Sequence, residues 1–198
     1  RMKNVTKEEL ERMDDDSLRC ALELSDAAVD VQAYACLVAI MSRGQGYHRV
    51  AEKRLYEASL KNDFPSPIVS SAGALIDSLH EIGAKKVSII CPYMKPLTQL
   101  VVDYIESEGI EVQDFMALEI ADNLEVAAQD PDAPAELWKK LDVNGVDAII
   151  ASACVQMPSL SSIEKIEKAS GLPTLSAAVA TTRSILQTLK LNPVAPGG

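Results

Sequence analysis

Two cysteines, Cys36 and Cys154, carry the chemistry that this sequence suggests. Cys36 sits in Ala33-Tyr-Ala-Cys36-Leu-Val-Ala, and Cys154 in Ala151-Ser-Ala-Cys154-Val-Gln-Met-Pro158. Each closes a short apolar run of strand character, at the point where the next turn exposes backbone N–H groups. Such a turn can draw a thiol pKa from about 8.5 toward neutrality, and it can also bind a carboxylate. Taken alone, either thiol reads more readily as inert apolar packing, because free cysteine is among the most buried residue types. Their matched placement is what reverses that reading.

The surroundings of the two cysteines repeat. Leu24-Ser-Asp-Ala-Ala-Val29-Asp30 runs into a strand and then Cys36, while Leu141-Asp-Val-Asn-Gly-Val146-Asp147 runs into a strand and then Cys154. Downstream, Pro67-Ile-Val-Ser-Ser-Ala72 and Pro173-Thr-Leu-Ser-Ala-Ala178 each lead into a helix. Each half thus reads helix, Val-Asp, strand, Cys, helix, Pro-led strand, Ser-Ala, helix. One such match between short segments means little; two in the same order, each with a thiol at a strand's carboxyl end, mean more.

The elements that must position these residues alternate. Helical patterns cover 7–26, 47–60, 72–82, 95–108, 124–129, 135–141, 161–170 and 178–191. Strands are expected at 29–35, 67–70, 86–91, 111–118, 146–153 and 173–175. Thr6 with Glu9 three residues later has capping-box spacing, and Gly83 and Gly109 stop their helices. Strands separated by helices imply βαβ units and parallel sheets, an α/β class. In such sheets ligands bind beyond the carboxyl ends of the strands. Two related lobes facing each other would therefore bring both thiols to one cleft. The division expected is 1–72 plus 176–198 for one lobe and 73–175 for the other.

Other residues are weaker candidates. Tyr93, after Cys91-Pro92 at a strand's end, could reach the cleft or be a locally satisfied aromatic. Asn123 reads as a helix cap or a substrate-facing amide. Cys91 and Cys20 read as packing, and Asp14-Asp15-Asp16 as a solvated helix face. Arg43-Gly-Gln-Gly46 lacks a dinucleotide fingerprint and a Walker lysine, and reads as a flexible loop, a candidate lid. His48 and His80 fall in helical segments without a second ligand nearby, which argues against zinc.

Bulk properties narrow the partners. The chain has 198 residues, 47% hydrophobic and 24% charged, an ordinary globular composition. A formal net charge of -10 argues against nucleic acid and anionic membrane surfaces, and means that an acidic substrate must be held by local donors. No apolar run approaches the roughly 20 residues of a membrane span. Four cysteines without a CxxC pair fit reduced thiols in the cytoplasm better than a disulfide framework.

At this point the sequence resembles a known family. Tyr34-Ala-Cys36, Cys91-Pro92-Tyr93, the Asp122-Asn123 turn, Ser152-Ala-Cys154-Val-Gln-Met-Pro-Ser-Leu160 and the opening Arg1-Met2 with Val5-Thr6 look like maleate cis–trans isomerase, of the aspartate/glutamate racemase superfamily. The resemblance implies two pseudo-symmetric lobes with the site between them, a homodimer, no metal or organic cofactor, and maleate as substrate. It implies Cys36 as nucleophile and Cys154 as opposing acid/base. Tyr93 and Asn123 would bind a carboxylate, and the backbone N–H groups of Leu37, Val38, Val155 and Gln156 would cradle the two carboxylates. It further implies a place in nicotinate or related aromatic breakdown. The family's first strand and loop, which carry another carboxylate-binding asparagine, would precede Arg1, so the first lobe is expected to lack its N-terminal strand. The residues following the cysteines are not the hydroxyl- or amide-bearing pairs usual in the superfamily's amino-acid racemases. A racemase or related decarboxylase is the enzyme alternative; a dicarboxylate-binding protein is the non-enzyme one.

Overall fold

A computed structural model describes residues 5–194. Arg1 and Met2, which contribute to the resemblance, lie outside the described residues, as do the outermost residues of the expected first lobe.

The chain folds into an α/β arrangement with two wholly parallel sheets. Helix α1 (Lys7–Ser25) is followed by β1 (Gln32–Tyr34), α2 (Leu37–Met41), α3 (Tyr47–Ser59), β2 (Ile68–Ser70) and α4 (Ser71–Glu81). Next come β3 (Lys86–Cys91), α5 (Lys95–Ser107), β4 (Glu111–Ala117), α6 (Asn123–Ala127), α7 (Pro134–Leu137) and a 3₁₀ turn (Trp138–Lys140). The chain then runs through β5 (Ala148–Ser152), α8 (Leu160–Ser170), β6 (Thr174–Ser176) and α9 (Ala177–Thr188). Strands β1 and β2 pair in one sheet, and the other has the order β4-β3-β5-β6.

Burial explains which strands lie where. Five of the six residues of β3 and all of β5 are buried, as expected of parallel strands covered on both faces. β4, at the edge, has no fully buried residue and carries Glu111 and Gln113, which suit an unpaired edge. One continuous apolar core joins the sheets: Ile40 and Leu75 from the first half meet Ile89, Ile105 and Ile150 from the second, all fully buried. The capping expected at Thr6 is present, its hydroxyl accepting from the Glu9 N–H at 3.4 Å. Gly83 (φ 73°) and Gly109 (φ 84°) close α4 and α5 in the left-handed region that favours glycine.

Cys36 is followed by a short helix, α2, all five of whose residues are buried. Two local expectations are corrected. Asp14 does not lie on a solvated face; it is 2% exposed, on the stripe of α1 that buries Leu10, Ala21 and Ser25. Cys20, one position off that stripe, is exposed and takes no part in the core. Asp14 accepts from the Tyr47 hydroxyl at 2.6 Å, and the guanidinium groups of Arg43 and Arg54 stand 3.5 and 3.6 Å away. The Arg43 guanidinium also lies 5.5 Å from the centre of the Tyr47 ring. These contacts tie the Arg43–Gly46 loop to α1.

Candidate active site

Cys36, Tyr93 and Cys154 occupy one kind of place: each stands two residues beyond the end of a parallel strand, β1, β3 and β5 respectively. That is where open α/β sheets present side chains to a ligand. The three meet in one small cavity of about 30 Å³, lined also by Leu37, Val38, Asn123, Val155 and Gln156. All eight residues singled out from the sequence thus border the same space. Val5, Ala35 and Val126 complete its wall. Val126 lies three residues after Asn123 on the same face of α6, a helical spacing that could have been read in advance. Val5 and Ala35 carry no such signal. Arg43 is not among the lining residues.

The cavity is small and mostly apolar. It has room for about one water molecule. Leu37, Val38 and Val126 are all but fully buried, at 1%, 2% and 1% exposure. Cys36 is the N-cap of α2 in non-helical geometry (φ -131°, ψ 89°), and its side chain makes no capping hydrogen bond. The Ala39 N–H lies where it favours the charged form of the Cys36 sulfur. On the opposite wall, the Cys154 sulfur meets the Tyr93 hydroxyl and the N–H groups of Met157 and Gln156. Tyr93 is 3% exposed, and its hydroxyl donates to the Ala153 carbonyl at 3.1 Å.

The thiols are not lowered toward neutrality, contrary to the expectation from their turns. Burial pushes Cys36 up to about 12; the Ala39 N–H offsets this only partly, and the neighbouring Cys154 adds to the rise. Burial also raises Cys154, against the opposing pull of Tyr93, Met157 and Gln156. A few backbone dipoles cannot replace the hydration that a thiolate loses in an apolar cavity. Both thiols are therefore neutral near pH 7. Cys91, behind them at the end of β3, is fully buried and raised by burial, and it does not reach the cavity wall. Among the described residues no three His, Cys, Asp or Glu side chains gather as a metal-binding set. No helix among them is long and apolar enough to cross a membrane.

Two parallel-sheet halves with a thiol at each wall of one cavity define a class of two-cysteine α/β proteins, and the family model for arylmalonate decarboxylase matches residues 1–198. Within that class the relatives are more specific. A maleate isomerase from Pseudomonas putida strain KT2440 is 55% identical over 197 residues, covering 100% of this chain and 79% of its own. The crystal structure of a maleate isomerase variant from Pseudomonas putida S16 with maleate superposes with a TM-score of 0.97 at 59% identity, covering 100% of this chain and 79% of that one. A Nocardia farcinica maleate cis–trans isomerase variant, with one cysteine replaced by serine, contains a covalently bound succinylcysteine intermediate. It is 42% identical with a TM-score of 0.96, over 100% of this chain and 81% of its own. The chain belongs to the maleate isomerase family.

Proposed function

We propose that this protein converts maleate to fumarate, with Cys36 as nucleophile and Cys154 as proton donor and acceptor. The observation that carries the proposal is that two thiols from matched halves border one tight, apolar cavity.

Rotation about C2–C3 of maleate requires that its double bond become single for a moment. Addition of the Cys36 sulfur to C2 achieves this, and the displaced electron pair moves to C3 and its carboxylate. The Cys154 thiol delivers its proton to C3, leaving a succinyl group on Cys36. After rotation the Cys154 thiolate takes the proton back, the S–C2 bond breaks, and fumarate leaves. The cycle begins and ends with a Cys36 thiolate and a Cys154 thiol, and one proton is shuttled. Asn123 and Tyr93, with the N–H groups of Leu37, Val38, Val155 and Gln156, hold the two carboxylates. Local donors are needed because the formal charge of -10 repels a dianion. Exclusion of water from so small a space protects the charged intermediate.

To enter this cycle the Cys36 thiol gives its proton to a carboxylate of the incoming maleate, and burial opposes that loss. The competing racemase reading needs a group to recognise an ammonium, and Leu37-Val38 and Val155-Gln156 supply no anion for one. The proposal extends to residues 1–72 with 176–198 forming one lobe and 73–175 the other, and to a cytoplasmic homodimer. The test is an assay for fumarate from maleate, with mass spectrometry of the quenched enzyme. One maleate mass on Cys36 is expected; fumarate formation undiminished in Cys36→Ser would exclude the nucleophile.

A further inference from the structure

Gln156 follows the cysteine-bearing turn after β5 and is exposed at the rim of the cavity. Its side-chain amide is nonetheless bonded to the protein. The Nε2 group donates to the main-chain carbonyl of Asn123 at 2.7 Å, joining segments 33 residues apart. Its main-chain N–H meanwhile faces the Cys154 sulfur. One residue therefore touches both the thiol and the turn that carries the candidate carboxylate ligand.

That turn needs outside support. Asn123 opens α6, which has five residues, too few to be stable through its own backbone bonds. The Asp122 carboxylate steadies the helix start from within, accepting from Leu124 N–H at 2.6 Å and Glu125 N–H at 3.2 Å. Gln156 is the tie from across the cavity. The direction of the Asn123 amide and the closeness of the Val126 wall both follow from how α6 is held.

We propose that Gln156 is a positioning residue: by clamping the Asn123 carbonyl it aims the Asn123 side chain at the substrate carboxylate. This rests on the maleate reading of the site. Loss of an exposed hydrogen bond that acts mainly on ground-state binding shows chiefly in KM. For Gln156→Ala, KM for maleate is expected to rise about three- to tenfold, with kcat changed by less than about twofold. A purely structural role would give the same effect whatever occupies position 123. The deciding measurement is therefore a double-mutant cycle with Asn123→Ala. If Gln156 works through Asn123, its replacement changes KM no further once the amide is gone. Additive effects, or an unchanged KM in Gln156→Ala, overturn the inference while leaving the maleate reading intact. A parent protein that makes no fumarate from maleate overturns both. Thermal unfolding of each variant shows whether the fold is kept.

Discussion

The half that carries Cys36 and the half that carries Cys154 share an order of elements but hold their thiols differently. Cys154 follows a five-residue strand, buried throughout and paired on both sides by β3 and β6. Cys36 follows a three-residue strand that, among the described residues, has a single partner, β2. The N–H groups of Gln156 and Met157 lie near the Cys154 sulfur, and that of Ala39 near the Cys36 sulfur. The difference is consistent with the roles proposed for the two thiols. A thiolate with fewer donors is harder to form but more nucleophilic once formed, since nucleophilicity falls with thiol pKa. A sulfur surrounded by donors is better placed to release a proton to carbon and take it back.

The largest test of this asymmetry is to remove each sulfur in turn. Cys36→Ala should lower kcat/KM by more than about 10⁴-fold and abolish the adduct, because the covalent step has no other nucleophile. Cys154→Ala should cost about 10²- to 10⁴-fold, the usual range for a lost acid/base group, while Cys36 still captures maleate. Single-turnover kinetics with mass spectrometry separate the two cases. An adduct on Cys154 in the Cys36→Ala protein would reverse the assignment.

The second test concerns the scaffold. Ile150 in β5 is fully buried, whereas Ile68 in β2 is only half-buried. Ile150→Ala should destabilise the fold by about 2–5 kcal/mol through lost burial and a residual cavity. Ile68→Ala should cost about 1 kcal/mol, because less apolar area leaves water there. Urea midpoints measure both. Equal losses would mean that the small sheet is as firmly packed as the large one.

How much of this was legible beforehand follows the same division. The second half was clear because Val87–Cys91 and Ala148–Ser152 are apolar runs with clean stops. The first half was clear in order but not in detail. Leu37–Met41 is a short apolar run that periodicity cannot assign to helix or strand. Asp14 was misread because three consecutive aspartates look solvated, although Leu10 and Ala21, four before and seven after, place it on the buried stripe. The lining residues were legible because the repeat marks both thiols and the resemblance supplies the rest. The direction of the thiol shifts was not, since it depends on how completely the walls exclude water, and no motif encodes that.

The third test uses that exclusion. Cys36, Cys91 and Cys154 all have raised thiol pKa values in the fold, while an unfolded chain releases the same protons near about 8.5. The folded state thus binds more protons above that pH. The stability these neutral thiols contribute is fully present below pH about 8.5, and it declines as pH rises toward about 12 for Cys36. The slope is at most about 1.4 kcal/mol per pH unit for each thiol. Urea midpoints between pH 8 and 10 should fall, and fall less steeply in Cys91→Ala. The same burial predicts that Cys36 alkylation by iodoacetamide rises about tenfold per pH unit across neutrality, without a plateau. A plateau near pH 7 would show that the Ala39 N–H outweighs burial after all.

The smallest effect lies in the repeated Ser-Ala segments. Ser70 caps α4, accepting from Gly73 N–H at 3.0 Å, and Ser176 caps α9, accepting from Val179 N–H at 3.2 Å. Both serines are fully buried, so neither freed amide could turn to water in an alanine variant. Each replacement should cost about 1 kcal/mol. The two are not equivalent, because the Ser70 hydroxyl also donates to a Glu52 carboxylate oxygen at 2.5 Å. Ser70→Ala removes both contacts and leaves that carboxylate with the Ser70 N–H at 3.2 Å. Its loss in thermal unfolding should therefore exceed that of Ser176→Ala. Equal losses would mean that the Glu52 contact adds nothing, and that the matched caps are alike in energy as well as in sequence.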